Sequence, residues 1–263
     1  MNTQELLALF DKEQRWEIDY PNVRREVTPT VVRHVSLTAQ QGFVIYSALD
    51  TTNVEAAIRE QVAYFEGIGQ DFEWKTYDHD GPPDLKERLA AAGFELEEAE
   101  ALLVLDLDQA PAWLFDPVTA DVRRVVDPAQ IADVRAVEEA VWQDDFAELA
   151  ERLARDLRED PNQISIYLAY ADGRPVSAAW IYFHAGSQFA SLWGGSTLPA
   201  QRCRGLYRSL IAVRGQEARA RGVRFLTVDA SPMSQPILAR HGFQLLTCSR
   251  PCVWHVRDKA NDI

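Results

Sequence analysis

The stretch Thr197-Leu198-Pro199-Ala200-Gln201-Arg202-Cys203-Arg204-Gly205-Leu206-Tyr207-Arg208 constrains this chain more than any other, because it joins a strand to a helix through a basic, glycine-bearing turn. Ahead of it, Phe189 to Thr197 carries aromatic and small residues and no charge, the pattern of a buried strand. Behind it, Leu206, Leu210, Ile211 and Val213 recur at helical spacing, so the turn opens a helix. The first N–H groups of a helix have no partner inside it, and the macrodipole adds partial positive charge there. Such a joint holds a phosphate or pyrophosphate with main chain alone. Gly205 lets a ligand come close to the backbone. Arg202, Arg204, Arg208, Arg214, Arg219, Arg221 and Arg224 crowd the turn and its helix, with Glu217 alone opposing them. The near arginines read as a docking surface for phosphate, and Arg214, Arg219 and Arg221 as a solvated helix face.

A chain of 263 residues is long enough for one large core or two modest ones, and at 47% hydrophobic and 10% aromatic it is expected to fold. Its apolar runs, such as Ala99 to Leu107 and Ile164 to Ala171, are of strand length, so no segment reads as a membrane span. Met1-Asn2-Thr3-Gln4-Glu5 lacks the basic start of a secretion signal, which predicts a cytoplasmic protein. Charge is divided unevenly: residues 1–110 carry 9 Lys+Arg against 22 Asp+Glu, and residues 111–263 carry 18 of each. That acidic half disfavours nucleic acid as a partner. Cys203, Cys248 and Cys252 make an odd number, which predicts no disulfide framework, and no second Cys or His pair completes a metal site with Cys248 and Cys252.

Asp108 to Pro117, with two prolines and a charge shift across it, reads as a linker. After it the pattern predicts a strand at Val122–Val126 and a helix from Pro128 bearing Ile131, Val134, Val137 and Val141. Phe146, Leu149, Leu153 and Leu157 continue at helical spacing. Strands follow at Ile164–Ala171, Val176–Phe183 and Phe189–Thr197, then, beyond the helix at Leu206, at Phe225–Asp229. A short helix at Pro236–His241 stops at Gly242, and strands at Phe243–Leu246 and Cys252–Val256 close the sheet. The first half carries a faint copy: Gly93-Phe94 matches Gly242-Phe243, and the same offset of about 150 residues lays Leu103-Val104-Leu105 on Cys252-Val253-Trp254. Phe43–Leu49 and the helix Val54–Phe65 then stand where the phosphate strand and helix stand. Their joint, Asp50-Thr51-Thr52-Asn53, has no glycine or arginine and carries an acid, so it repels a pyrophosphate; Asn53 or Thr52 is expected to cap the helix. The first half also remains readable as an unrelated α+β domain.

Arg202-x-x-Gly205-x-Tyr207 resembles the coenzyme A loop of the GNAT superfamily of acyl-CoA-dependent N-acyltransferases, R/Q-x-x-G-x-G/A, with Tyr207 departing from its last position. The order strand, loop, helix, strand, short helix, Gly-Phe is also the family's, over roughly the last 150 residues, the size of one domain. The resemblance implies an α/β (α+β) fold of two GNAT-like domains, each a mixed, mostly antiparallel twisted sheet flanked by helices. Residues 1–110 form a degenerate domain without a cofactor loop, and residues 111–263 the acyl-CoA-binding domain. It implies acetyl-CoA as cosubstrate, held by Gly195, Ser196, Thr197, Arg202, Cys203, Arg204, Gly205, Leu206, Tyr207, Arg208, Ser231 and Ser234. Gly194-Gly195 in a strand interior reads as a bulge or close ligand approach. Ser231 and Ser234 also read as helix caps beside Pro232 and Pro236.

The implied activity is N-acyl transfer, in the first place N-acetyl transfer, to a primary amine of a small molecule or peptide by direct attack in a ternary complex. Where the family places the tyrosine that protonates the leaving thiolate, this chain has Leu238, and no catalytic base is assigned; Asp229 and His184 are candidates with ordinary structural readings. Tyr207 is able to reach inward, but its place in the turn suggests the pyrophosphate. The acceptor is expected near Val141 to Phe146 with Tyr182 and Trp193, where Asp144 and Asp145 attract a cation or cap the next helix. The rival reading is a non-catalytic acyl-CoA-binding regulatory or scaffold protein. Two fused halves imitate a dimer, which predicts a monomer and leaves a homodimer open.

Overall fold

The computed structural model describes residues 1–38 and 41–256. In chain order its elements are α1 (Thr3–Phe10), running on into a π-helical turn, then β1 (Val23–Val27), β2 (Val31–Ser36), β3 (Gly42–Ser47), α2 (Val54–Ile68), β4 (Phe72–Tyr77), α3 (Leu85–Ala92), β5 (Glu95–Leu96) and β6 (Glu100–Asp106). A 3-10 turn at Ala112–Phe115 leads to β7 (Val122–Val125), α4 (Ile131–Trp142), α5 (Ala147–Glu159), β8 (Ile164–Ala171), β9 (Arg174–Phe183), β10 (Phe189–Thr197), α6 (Leu206–Ala220), β11 (Phe225–Ala230), α7 (Gln235–Arg240) and β12 (Gln244–Trp254). Two compact units result, and neither is one run of chain. The first holds Met1–Leu103, Asp229–Pro236 and the chain from Leu245; the second holds Val104–Val228 and Ile237–Gln244.

In the first unit β1, β2 and β3 form an antiparallel meander, and β3 runs parallel to β4 after the α2 crossover. The far side of β4 is taken by β12, antiparallel, with Cys252 opposite Trp74. Val44, Phe65, Phe72, Trp74, Leu89 and Trp254 make its core. The second unit repeats the scheme: β7, β8 and β9 are antiparallel, β10 is antiparallel to β9, and β10 runs parallel to β11 after the α6 crossover. Within each unit the strand pairing is therefore mixed and mostly antiparallel.

The helical stripes predicted from spacing bury as expected: Ile131, Val134 and Val137 of α4 and Leu153 and Leu157 of α5 close on Ile166, Leu168 and Trp180. Gln143, at φ +59, ends α4 in the left-handed conformation and separates it from α5. Two expectations are corrected. The closing strands expected at Phe243–Leu246 and Cys252–Val256 are a single eleven-residue strand, β12, that runs through Pro251. Nor is the segment from Asp108 to Pro117 a free linker: Leu114 is fully buried against Gly215, and Gln216 Nε2 donates to the Leu114 and Asp116 carbonyls at 2.8 and 2.9 Å.

Candidate functional site

The basic turn folds as its residues demand. Pro199–Gln201 make a 3-10 turn, Cys203 takes φ +61, and Gly205, at φ +79, is the residue from which α6 departs. A Cβ at Gly205 would meet nothing within 4 Å, so glycine serves the dihedral here rather than the space. The helix start has no side-chain cap and no acid in its first turn, and its first main-chain bond is Ser209 N–H to the Gly205 carbonyl. The N–H groups of Leu206, Tyr207 and Arg208 are thus the open donors of a fifteen-residue helix. Arg202 donates to the Thr197 carbonyl, Arg204 to Gln201 Oε1, and Arg208 lies over the Trp113 ring at 4.6 Å. All three are exposed, and among the described residues none forms an ion pair with a carboxylate. Open donors and guanidinium groups without a carboxylate partner at one joint fit a pyrophosphate group.

Of the distal arginines, Arg219 and Arg221 lie on the exposed face as expected, each against a neighbour of the same chain. Arg219 covers Phe115, Arg221 bonds Glu217 and the Asn162 carbonyl, and Arg224 pairs with Asp106 and Asp108. Arg214 corrects the expectation of a solvated face outright: it is 1% exposed. Its guanidinium donates to the Leu210, Trp180 and Trp193 carbonyls, tying α6 to β9 and β10. Burial pulls its pKa down to about 10, still charged at neutral pH.

Ahead of the turn, β10 changes partner. Its parallel pairing with β11 covers only Phe189 to Ser191, whereas its pairing with β9 continues to Thr197. That pairing shifts register between Gly194 and Ser196, and both glycines have positive φ, +70 and +97, so the bulge read from Gly194-Gly195 is present. A Cβ on Gly194 would stand 2.5 Å from the Trp180 ring, and one on Gly195 2.6 Å from Cε2 of Tyr207. Tyr207 therefore turns inward from the loop and lies on the bulge, and burial raises its pKa. Its place in the turn had suggested a pyrophosphate contact; the ring lies on Gly195 instead.

Other candidates are committed elsewhere. Asp229 is paired with Lys75 at 2.9 Å, and His184 is held 3.0 Å from Ser191 Oγ with its pKa pushed down to about 4 by burial. Asp145 accepts from Ala147 N–H at the start of α5 and pairs with Arg135, while Asp144 accepts from Asp145 N–H in the loop ahead of it. Ser231 and Ser234 bond one another ahead of α7, within a segment that belongs to the first unit. Leu238 is 1% exposed in the second unit. Cys203, Cys248 and Cys252 are free thiols.

One group was missed by spacing arguments. Glu138 sits in the apolar stripe of α4 between Val134 and Val141 and is 3% exposed. Its Oε2 accepts from Ser196 Oγ at 2.6 Å, and that hydroxyl accepts from Trp142 Nε1 at 2.9 Å. Among the described residues its Oε1 has no hydrogen-bond partner, and burial raises the carboxyl pKa against the lowering influence of Ser196 and Trp142. A lone acid inside an otherwise apolar helical stripe was the available signal.

The corresponding joint of the first unit is closed by its own anion. Asp50 Oδ1 accepts from the Thr52 and Asn53 N–H groups and the Thr52 hydroxyl, which lowers the carboxyl pKa. Asn53 makes no cap bond to α2; its side chain accepts from Asp50 N–H instead. The cap expected of Asn53 or Thr52 is thus a carboxylate turn ahead of the helix.

No protein-family model and no curated protein matches the chain. Solved structures do. A GCN5-related N-acetyltransferase from Kribbella flavida superposes with TM-score 0.69 over 95% of this chain and 95% of that one, at 14% identity. A conserved protein of unknown function from Staphylococcus epidermidis gives 0.65 over 89% and 94%, at 15% identity. A tandem GNAT protein from the clavulanic acid biosynthesis pathway gives 0.60 over 98% and 89%, at 14% identity. At these identities the likeness is one of fold.

Proposed function

The chain has the GNAT fold in tandem, and from that premise we propose that it is an acyl-CoA-dependent N-acyltransferase, with acetyl-CoA as cosubstrate and a primary amine as acceptor. The observation that carries this is the joint where β10 leaves β11, bulges at Gly194-Gly195 and enters the uncapped start of α6. Main chain at Gly195, Ser196 and Thr197 is left to hold an extended amide-bearing arm, and Arg202, Cys203, Arg204, Gly205, Leu206, Tyr207 and Arg208 to hold the pyrophosphate. Ser231 and Ser234 remain candidates for the cofactor on the family pattern alone. Residues 1–110 and 111–263 are proposed as the two repeats, the first without a cofactor site because Asp50 fills its joint.

Acyl transfer needs a free amine, a polarised thioester and a proton for the departing thiolate. Tyr207, kept neutral by burial beside the bulge, supplies that proton in place of the tyrosine that Leu238 replaces. Calorimetry with acetyl-CoA tests the proposal: the folded protein binds, and Gly205→Glu weakens binding by at least about tenfold. A folded wild-type protein with no heat of binding overturns it. Leu238 in the core favours one second reading, an acyl-CoA-binding protein without turnover; steady thiol release with any primary amine removes it.

A further inference from the structure

We propose that Ser196 and Glu138 form the proton-accepting end of the acceptor site, and that the acceptor is a primary ammonium carried on a flat ring stacked against Trp142 and Trp193. The inference rests on the acyl-transfer reading and deepens it. Ser196 Oγ spends its one proton on Glu138 Oε2 and one lone pair on Trp142 Nε1. Its second lone pair is unspent, and an ammonium N–H is the donor that satisfies it. The residue keeps 7% exposure, so it is not sealed. Beneath it, Glu138 is a buried carboxylate with Oε1 unpartnered, a costly arrangement for mere packing.

The same bulge that admits the cofactor arranges this face. Trp193 lies opposite Trp180 and Ser196 opposite Ala178, and both Trp180 and Ala178 belong to the core beneath α4 and α5. The extra residue at Gly195 thus returns Ser196 to the face that Trp193 occupies. Trp193 is 47% and Trp142 53% exposed, large aromatic surfaces on one face of the second unit. Aromatic faces of this kind stack on rings and attract a cation.

The charged groups nearby include two cations of α5, Arg152 and Arg155, which act on Tyr182, and Arg155 lies 3.9 Å from Asp156. Arg135 of α4 pairs with Glu139 and Asp145, and Tyr182 of β9 donates to Asp156 of α5. Glu138 is a buried acid that, among the described residues, has no cationic partner.

The step balances. An N–H bond of the ammonium breaks and its proton passes to Ser196 Oγ as the serine proton passes to Glu138 Oε2. The freed lone pair forms the C–N bond at the thioester carbonyl, the C–S bond breaks, and the thiolate takes the Tyr207 hydroxyl proton, which the amine's second proton replaces. Glu138 then returns its proton to water, so one amide, one thiol and one proton leave. Ser196 touches the amine; Glu138 acts through it as a positioning residue.

Tryptamine and its neutral analogue 3-(2-hydroxyethyl)indole are the probes, read by calorimetry and by quenching of tryptophan fluorescence with coenzyme A present. Wild type is expected to bind tryptamine at least about tenfold more tightly than the alcohol. Glu138→Gln keeps a hydrogen-bonding side chain for Ser196 and is expected to erase that preference, with Glu138→Asp restoring part of it. Trp193→Ala weakens both probes together. Equal affinities in wild type, no binding of either probe, or an unchanged preference in Glu138→Gln overturns the inference while coenzyme A still binds. Loss of coenzyme A binding and of the melting transition together in Glu138→Gln assigns the residue a packing role and overturns it likewise. Failure of wild type to bind coenzyme A refutes instead the reading beneath it.

Discussion

Gly195 and Tyr207 were chosen for each other. The tyrosine ring occupies the space a Cβ on Gly195 would need, and the backbone there already has φ +97. Gly195→Ala is therefore expected to cost about 2–4 kcal/mol, from strain plus the displaced ring, measurable as a lower denaturant midpoint. Tyr207→Phe leaves that packing intact. It should lower kcat by about 10- to 100-fold with the affinity for acetyl-CoA unchanged, because only the proton donor is gone. The paired glycines were visible in the sequence as a bulge. That Tyr207 is what they make room for was not, since a side chain's direction out of a loop depends on what stands across from it.

Two histidines predict a pH dependence of folding. Burial pushes His34 and His184 each down from 6.5 to about 4. The unfolded chain takes up these protons near pH 6.5 and the folded chain only near 4. Stability is thus fully present above 6.5 and is lost as the pH falls from 6.5 to 4. Melting temperature followed across that window is expected to fall, and His34→Phe to flatten the slope whatever it does to the plateau.

At the scale of elements, α2 and α6 are the same length and occupy the same step between parallel strands, yet their starts are opposites. Asp50 fills one with a carboxylate, and the other is left open among arginines. That contrast was legible, because both residue type and spacing are local. The role of Arg214 was not. It lies on the buried stripe of α6 with Leu206 and Leu210, four residues apart each time, and a guanidinium in such a stripe looks like an error until its carbonyl partners are seen. Arg214→Met keeps the volume and leaves the Trp180 and Trp193 carbonyls without this donor. A loss of about 2–4 kcal/mol in chemical denaturation, with weakened acetyl-CoA binding as the bulge loses its anchor, is the expected result.

For the molecule as a whole, the decisive fact is that β12 belongs to the first unit while being carried by the second half of the chain. Expressed alone, residues 1–110 lack the strand that covers β4, and residues 111–263 carry that strand with its apolar face unsatisfied. Neither fragment is expected to give a cooperative melt by circular dichroism, and mixing them to restore one. Two independent, cooperative transitions from the separate fragments would contradict the interleaving.

Periodicity, turn residues and charge placement are properties of neighbours along the chain. They were enough to delimit α2, α4 to α7 and most strands of the second half, the repeat, the open start of α6 and the closed start of α2, but not α1, β1 or β2. Which strand lies beside β4, which way Tyr207 turns, and that Glu138 and Arg214 are buried with hydroxyl and carbonyl partners depend on residues tens to hundreds of positions away. Those were decided only by the tertiary structure. Burying a polar group is tolerable only where distant groups complete its hydrogen bonds, and a local pattern holds no record of them.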